Sequence, residues 1–208
     1  MRMQKVNYQI QLDKILMGLK ERADAPRLLL HSCCAPCSSY VLEYLSDYFR
    51  ITVFYYNPNI APEKEYAQRV REQQRLIREM PLRYPVSFKE GRYDPERFYE
   101  AVQGMEDLPE GQERCFACYA LRLGEAAMVA KEGSYDYFTT TLSISPLKNA
   151  QKLNEIGQQI GRERGIAYLP SDFKKRNGYG RSIELSAEYD LYRQDYCGCV
   201  FSKREDKK

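Results

Sequence analysis

Arg27-Leu28-Leu29-Leu30-His31-Ser32-Cys33-Cys34-Ala35-Pro36-Cys37-Ser38-Ser39-Tyr40-Val41-Leu42 carries both the fold class and the chemistry of this chain. Three leucines between Arg27 and His31 read as a short strand buried on both faces. Ser38-Ser39 followed by Tyr40, Val41, Leu42, Tyr44 and Leu45 reads as a helix start, so Cys33 to Cys37 form a strand-to-helix loop. A helix over residues 7–22 precedes the strand, with Ile10, Leu12, Ile15, Leu16 and Leu19 mostly on one face, and Asp24-Ala25-Pro26 breaks it.

The same alternation continues downstream. Ile51 to Tyr56 is a second strand, closed by Asn57-Pro58-Asn59, and Pro62 to Glu79 is a long charged helix. Val86 to Lys89 is a weaker strand, Asp94-Pro95-Glu96 opens a helix over 97–102, and residues 104–112 form a loop. A helix over Arg114 to Lys131, a strand over Tyr137 to Leu142, a helix over Asn149 to Arg164 and a strand over Ile166 to Leu169 follow. This order predicts an α/β, three-layer fold around a parallel sheet, whose ligands gather beyond the carboxyl ends of the strands. The C-terminal extension is irregular: a basic, glycine-containing loop over 173–181, a helix over Ser182 to Tyr192, then Tyr196-Cys197-Gly198-Cys199 and a frayed tail over 203–208. At 208 residues the chain suits one α/β domain.

A net charge of +3 does not by itself announce a nucleic-acid partner. The N-terminus lacks an apolar signal core and no run of about 18 apolar residues occurs, which points to a cytoplasmic protein with reduced thiols and no membrane partner. In that setting seven cysteines in three tight groups suit metal or redox chemistry better than a disulfide framework. Cys33 and Cys34 from the loop, with Cys115 and Cys118 three apart on a helix, supply four thiolates for a 4Fe-4S cluster or a structural zinc. Cys197 and Cys199 flank one glycine. A disulfide across so short a loop is strained and readily reduced, so the pair suits electron transfer or iron ligation. Cys37 is a candidate additional ligand or a small packing residue. His31, the only histidine, reads as a hydrogen-bonded strand-end residue.

Tyr119, Tyr192 and Asp195 are proton-donor candidates from their closeness to cysteines in sequence. Arg69, Arg71, Arg75 and Arg78, alternating with glutamates, read as a solvated face. Lys174, Lys175, Arg176, Tyr179 and Arg181, with no carboxylate close by in sequence after Asp172, are the candidate nucleic-acid contacts.

HSCCAPCSSYVLEYL after the first strand, YNPNI after the second, RCFACYALRL on a helix, TTLSISPLKN after a later strand and LYRQDYCGCVFS near the end together resemble the epoxyqueuosine reductase QueH family, over residues 26–202. The resemblance implies cobalamin-independent reduction of the cyclopentane epoxide of epoxyqueuosine, at the tRNA wobble position, in the last step of queuosine formation. It implies a fold akin to the adenine-nucleotide α-hydrolase (HUP) group, a 4Fe-4S cluster held by Cys33, Cys34, Cys115 and Cys118, and an adjacent iron or redox pair at Cys197 and Cys199. Its partners would be a tRNA and an unidentified electron donor. Two rivals are an ATP-dependent tRNA sulfurtransferase and a non-catalytic, zinc-stapled RNA-binding module. The first needs the glycine- and serine-rich phosphate loop of that fold group, and Cys33 to Cys37 stand in its place.

Overall fold

β1 (Arg27–His31), β2 (Arg50–Tyr55), β3 (Ser87–Glu90), β4 (Tyr137–Thr140) and β5 (Ala167–Tyr168) form one sheet in the order β3-β2-β1-β4-β5. The computed structural model describes residues 6–203 apart from 21 and 23. Every strand pair in it is parallel, with His31 opposite Phe54 on one side and Thr140 on the other. The chain winds outward from β1 to β3 and then returns to lay β4 against the other edge of β1. The crevice beyond the carboxyl ends of β1 and β4 is therefore the switch point of the fold, where neighbouring connections leave in opposite directions.

The helices are α1 (Tyr8–Leu19), α2 (Ala35–Leu45), α3 (Glu63–Glu79), α4 (Pro95–Ala101), α5 (Glu113–Glu132), α6 (Ala150–Arg164) and α7 (Gly178–Glu188). Alternation along β1 divides the core. Leu28 and Leu30 pack with Leu12 and Leu16 of α1, Val41, Leu42 and Leu45 of α2 and Leu76 of α3. Leu29 points the other way, to Leu123, Ala126, Ala127 and Ala130 of α5 and Leu153 of α6. Three layers result, as the sequence predicts, and each fully buried leucine contributes about 1.5–3 kcal/mol of apolar burial.

Several boundaries differ from the sequence reading. α2 begins at Ala35, because Cys34 is an extended N-cap and Pro36 fits the first helical turn; Cys37 thus lies inside the helix. β4 stops at Thr140, whose hydroxyl accepts from the Leu142 N–H and turns the chain into a 3-10 helix over Thr141–Ile144. α7 starts at Gly178 behind a left-handed Asn177, which places Tyr179 and Arg181 on a helix. It ends at Glu188, and the Tyr192 N–H is taken instead by Glu72. In α1, Ile10 is exposed while Leu12 and Leu16 are buried. Of the expected tail over 203–208, residues 204–208 lie outside the described residues.

Two helical glycines test this packing in opposite directions. A Cβ on Gly157 of α6 would fall 2.3 Å from the Tyr168 ring, whereas one on Gly124 of α5 would meet nothing within 4 Å. Alanine favours a helix interior by about 1 kcal/mol over glycine, and overpacking costs about 1–3 kcal/mol. Gly157→Ala is therefore expected to lower stability in denaturant titration, and Gly124→Ala to raise it by up to about 1 kcal/mol.

Candidate metal centre

The turn from β1 into α2 brings three sulfurs together. Cys33, Cys34 and Cys37 lie with all their Sγ atoms within 4.8 Å of one another. Cys34 is extended at φ −171° and ψ 158°, and Cys37 follows one helical turn later, so their side chains meet on the same side. Surrounding residues clamp the loop: the Tyr55 hydroxyl donates to the Cys33 carbonyl at 3.1 Å, and the Asn57 amide donates to the Ser32 carbonyl at 2.8 Å. Ser32 and Ser38 both donate to Gln73 Oε1 at 2.8 Å, and Gln194 Nε2 donates to Cys34 Sγ at 2.9 Å. Hydrogen bonds from Cys34 and Cys37 hold the Cys33 thiol well below its usual range. Their side of the same bonds pushes Cys34 up to about 12 and Cys37 well above the usual thiol value.

The remaining four cysteines meet where α5 faces the C-terminal segment. Cys115 accepts from the Gly111 N–H at 3.2 Å, and Arg122, one turn beyond Cys118, donates to its sulfur at 3.8 Å. Gly198 has φ +102°, which sends its carbonyl to the Ala61 N–H at 2.9 Å. Arg69 donates to the carbonyls of Tyr196 and Cys197, both at 3.3 Å. Lys148 Nζ lies 3.1 Å from Cys197 Sγ and 2.6 Å from Glu110. Burial pushes the Cys118 thiol up and Cys199 up to about 12.

Two cavities share this wall. A small one of about 20 Å³ is lined by Cys115, Cys118, Cys197 and Cys199 with Tyr119. A larger one of about 160 Å³ is lined by Cys33, Cys37 and Cys197 with Gln194 and Asp195. Glu110, Arg122, Lys148, Cys197 and Ser202 line both.

The charge balance around these sulfurs is one-sided. Arg69 and Arg122 are each 1% exposed, Arg114 3% and Lys148 8%, while no aspartate or glutamate among the described residues is buried to that degree. Arg69 has Glu65 at 2.7 Å and Lys148 has Glu110. Arg122 has no carboxylate partner among the described residues: it meets Asn57 Oδ1 at 2.6 Å, His31 Nε2 at 3.3 Å and the Cys118 sulfur. Burial opposes its charge, and the sulfurs of Cys118, Cys33 and Cys197 more than offset that cost. A cation taken out of water with no counter-charge costs several kcal/mol, so the site requires anionic sulfur. The donors facing the cavities are mainly sulfur, with the carboxylates of Glu110 and Asp195 and no histidine, and a sulfur-rich set fits zinc or an iron-sulfur cluster, either of which would carry net negative charge on four thiolates. His31 is neutral, pushed down to about 3 by burial and by Arg122. Its ring lies 2.9 Å from Thr140 Oγ1 and 3.1 Å from the Tyr56 carbonyl, which bears out the strand-end role.

Of the proton-donor candidates, Tyr119 is buried, lines the smaller cavity, and its hydroxyl has no hydrogen-bond partner among the described residues. Asp195 sits at the rim of the larger cavity, and the Tyr192 hydroxyl is engaged with Glu65 at 2.9 Å. Cys33 and Cys34 cluster with Cys37, whereas Cys115 and Cys118 adjoin Cys197 and Cys199, with Arg122 between the two sets. The basic stretch has more carboxylate company than its sequence shows: Lys174 pairs with Asp172, Arg176 with Asp13, and Arg181 with Glu43 and Glu184. Arg69 is not on a solvated face. Together with Arg122, Lys148 and Gln194 it belongs to the site and escapes sequence reading. Only Arg122 leaves a trace, four residues after Cys118 on the same helix face.

Fold and site together define a parallel α/β protein with a cysteine-lined centre at its switch point. The family model described as epoxyqueuosine reductase QueH matches residues 28–205. A Staphylococcus epidermidis protein named epoxyqueuosine reductase QueH is 43% identical over 206 residues, which cover 97% of this chain and 87% of its own. Proteins of the same name from Acinetobacter baylyi and Thermotoga maritima are 37% and 35% identical, over 95% and 87% of this chain and 89% and 92% of theirs. This chain belongs to the epoxyqueuosine reductase QueH family.

Gly198 ties the last cysteine pair to the site. A Cβ there would sit 2.8 Å from Ile60 and 3.1 Å from Arg69 Nη1, at a φ that side chains rarely adopt. Gly198→Ala is expected to cost about 1–3 kcal/mol and to speed alkylation of the buried Cys199 under non-denaturing anaerobic conditions.

Proposed function

We propose that this chain reduces the epoxide of epoxyqueuosine in tRNA to give queuosine, without cobalamin. The observation that carries the reading is the convergence of seven free cysteines on four buried cations, Arg69, Arg114, Arg122 and Lys148, in a chain of this family. Removing the epoxide oxygen breaks two C–O bonds, forms a C=C bond and releases water, and so consumes two electrons and two protons. A 4Fe-4S cluster on Cys33, Cys34, Cys115 and Cys118 would supply electrons one at a time. Arg122, offset by the sulfurs of Cys118, Cys33 and Cys197, lies against both sets of cysteines.

The chain's own groups account for the rest. Cys197 and Cys199 serve a second iron, with Cys37 as a further ligand, or act as a dithiol. Oxidation of a dithiol to a disulfide releases two electrons and two protons, the number the reduction consumes, and an external donor resets the pair. Burial raises the Tyr119 pKa, so its hydroxyl keeps a proton to donate beside the sulfurs. Lys148 presents an ammonium to the same wall, where it can hydrogen-bond an oxygen that gains charge as its C–O bond breaks. The larger cavity opens past Asp195 and is the place for the modified ring. Lys174, Lys175, Arg176, Tyr179 and Arg181 hold the tRNA. Lys175 is exposed and without an ion pair among the described residues, so it carries most of the free positive charge of that stretch.

Anaerobically purified protein should contain iron and acid-labile sulfide and should convert epoxyqueuosine tRNA to queuosine tRNA with a chemical reductant. Colourless, zinc-loaded protein without turnover overturns the reading. Cys115→Ser should lose the visible absorbance of the cluster. Cys197→Ser combined with Cys199→Ser should keep iron, sulfide and absorbance but lose turnover; normal turnover would reduce the pair to packing. Alanine at Lys174, Lys175 and Arg176 together should weaken tRNA binding and flatten its salt dependence without changing iron content.

A further inference from the structure

The cysteine-lined cavity continues into a neighbouring groove that the reduction itself does not require. This groove, of about 280 Å³, shares Cys37, Ser145, Leu147 and Gln194 with the larger cavity. Its far wall is Tyr179, and Pro146 and Arg193 complete it. Leu147 is 66% and Tyr179 38% exposed, and both present apolar surface to this groove. No aspartate or glutamate lines the groove. Gln194 donates to Cys34 through Nε2, while its Oε1 is buried with no hydrogen-bond partner among the described residues. Beyond Tyr179 a wider groove runs on past Lys174 and Lys175. Arg193 and Lys175 are exposed and make no ion pair among the described residues.

We propose that this groove takes the base of a nucleotide adjacent to the target nucleoside, held between Leu147 and Tyr179 with its backbone phosphates on Arg193 and Lys175. The inference rests on the tRNA-reductase reading. A nucleoside that enters a buried cavity leaves its stack, and its neighbour loses a stacking partner on that side. A flat apolar wall beside the cavity mouth replaces that partner, and cations follow where the backbone must run. A peptide or lipid chain would use the apolar walls but leaves the cations without a purpose.

The test is equilibrium binding of a short anticodon stem–loop RNA to iron-loaded protein at fixed salt, with the base removed in turn from the nucleotide on either side of the target. For the wild type, removal at one of the two positions is expected to weaken binding about 5- to 150-fold. In Tyr179→Ala and in Leu147→Ser, intact RNA should bind more weakly than to the wild type. Removing the same base should then cost little more. Tyr179→Phe, which keeps the stacking face, should behave as the wild type, and iron and sulfide should be unchanged in all three variants. Indifference of the wild type to both base removals, or independent losses in the double comparison, overturns the inference. Turnover of epoxyqueuosine tRNA by the wild type is measured alongside: its absence overturns the underlying function, whereas turnover combined with independent losses overturns the groove alone.

Discussion

A guanidinium buried among sulfurs is the constraint on which the centre depends. Arg122 is tied at once to β1 through His31, to the loop after β2 through Asn57, and to its own helix through Cys118. With no carboxylate to neutralise it, its charge is tolerable only where sulfur is anionic. The same residue thus fixes the spacing of three elements and biases the thiols around it toward the form that binds metal. Arg69 and Lys148 extend that logic to the C-terminal segment, whose carbonyls and Cys197 sulfur they hold.

The sheet was legible because most of its strands carry dense apolar runs and its helices carry amphipathic patterns, with asparagine caps at α1 and α6, so local signals agree with the final topology. Boundaries failed where one residue type serves two purposes. Pro36 reads as a loop residue yet fits the first helical turn, and Gly178 and Gly180 read as loop residues although both lie in α7. Gly178 is required there by proximity, since a Cβ would strike the Phe173 carbonyl and the Tyr40 ring.

The cysteines announced a site by their spacing alone, but the cations that balance them did not. Arg69 lies in a stretch of alternating charge, where the prior for any one arginine is solvent. Its burial depends on a segment more than a hundred residues away, which no local pattern encodes. The basic stretch fails in the opposite sense: Asp13 and Glu43, which neutralise parts of it, come from α1 and α2. Charge read along a chain misses charge brought across it.

The span of the sulfurs along the chain bears on the order of assembly. Cys33 and Cys34 leave the ribosome long before Cys197 and Cys199, and the buried wall that joins them closes only when Gly198 docks on Ala61. Until then the first thiols stand open at the end of a nascent sheet, able to oxidise or to capture a stray soft metal. A site that needs both sets of sulfurs is therefore complete only late in synthesis. Were a metal to occupy such a site, the kinetics of synthesis, as much as affinity, would bear on which one it is.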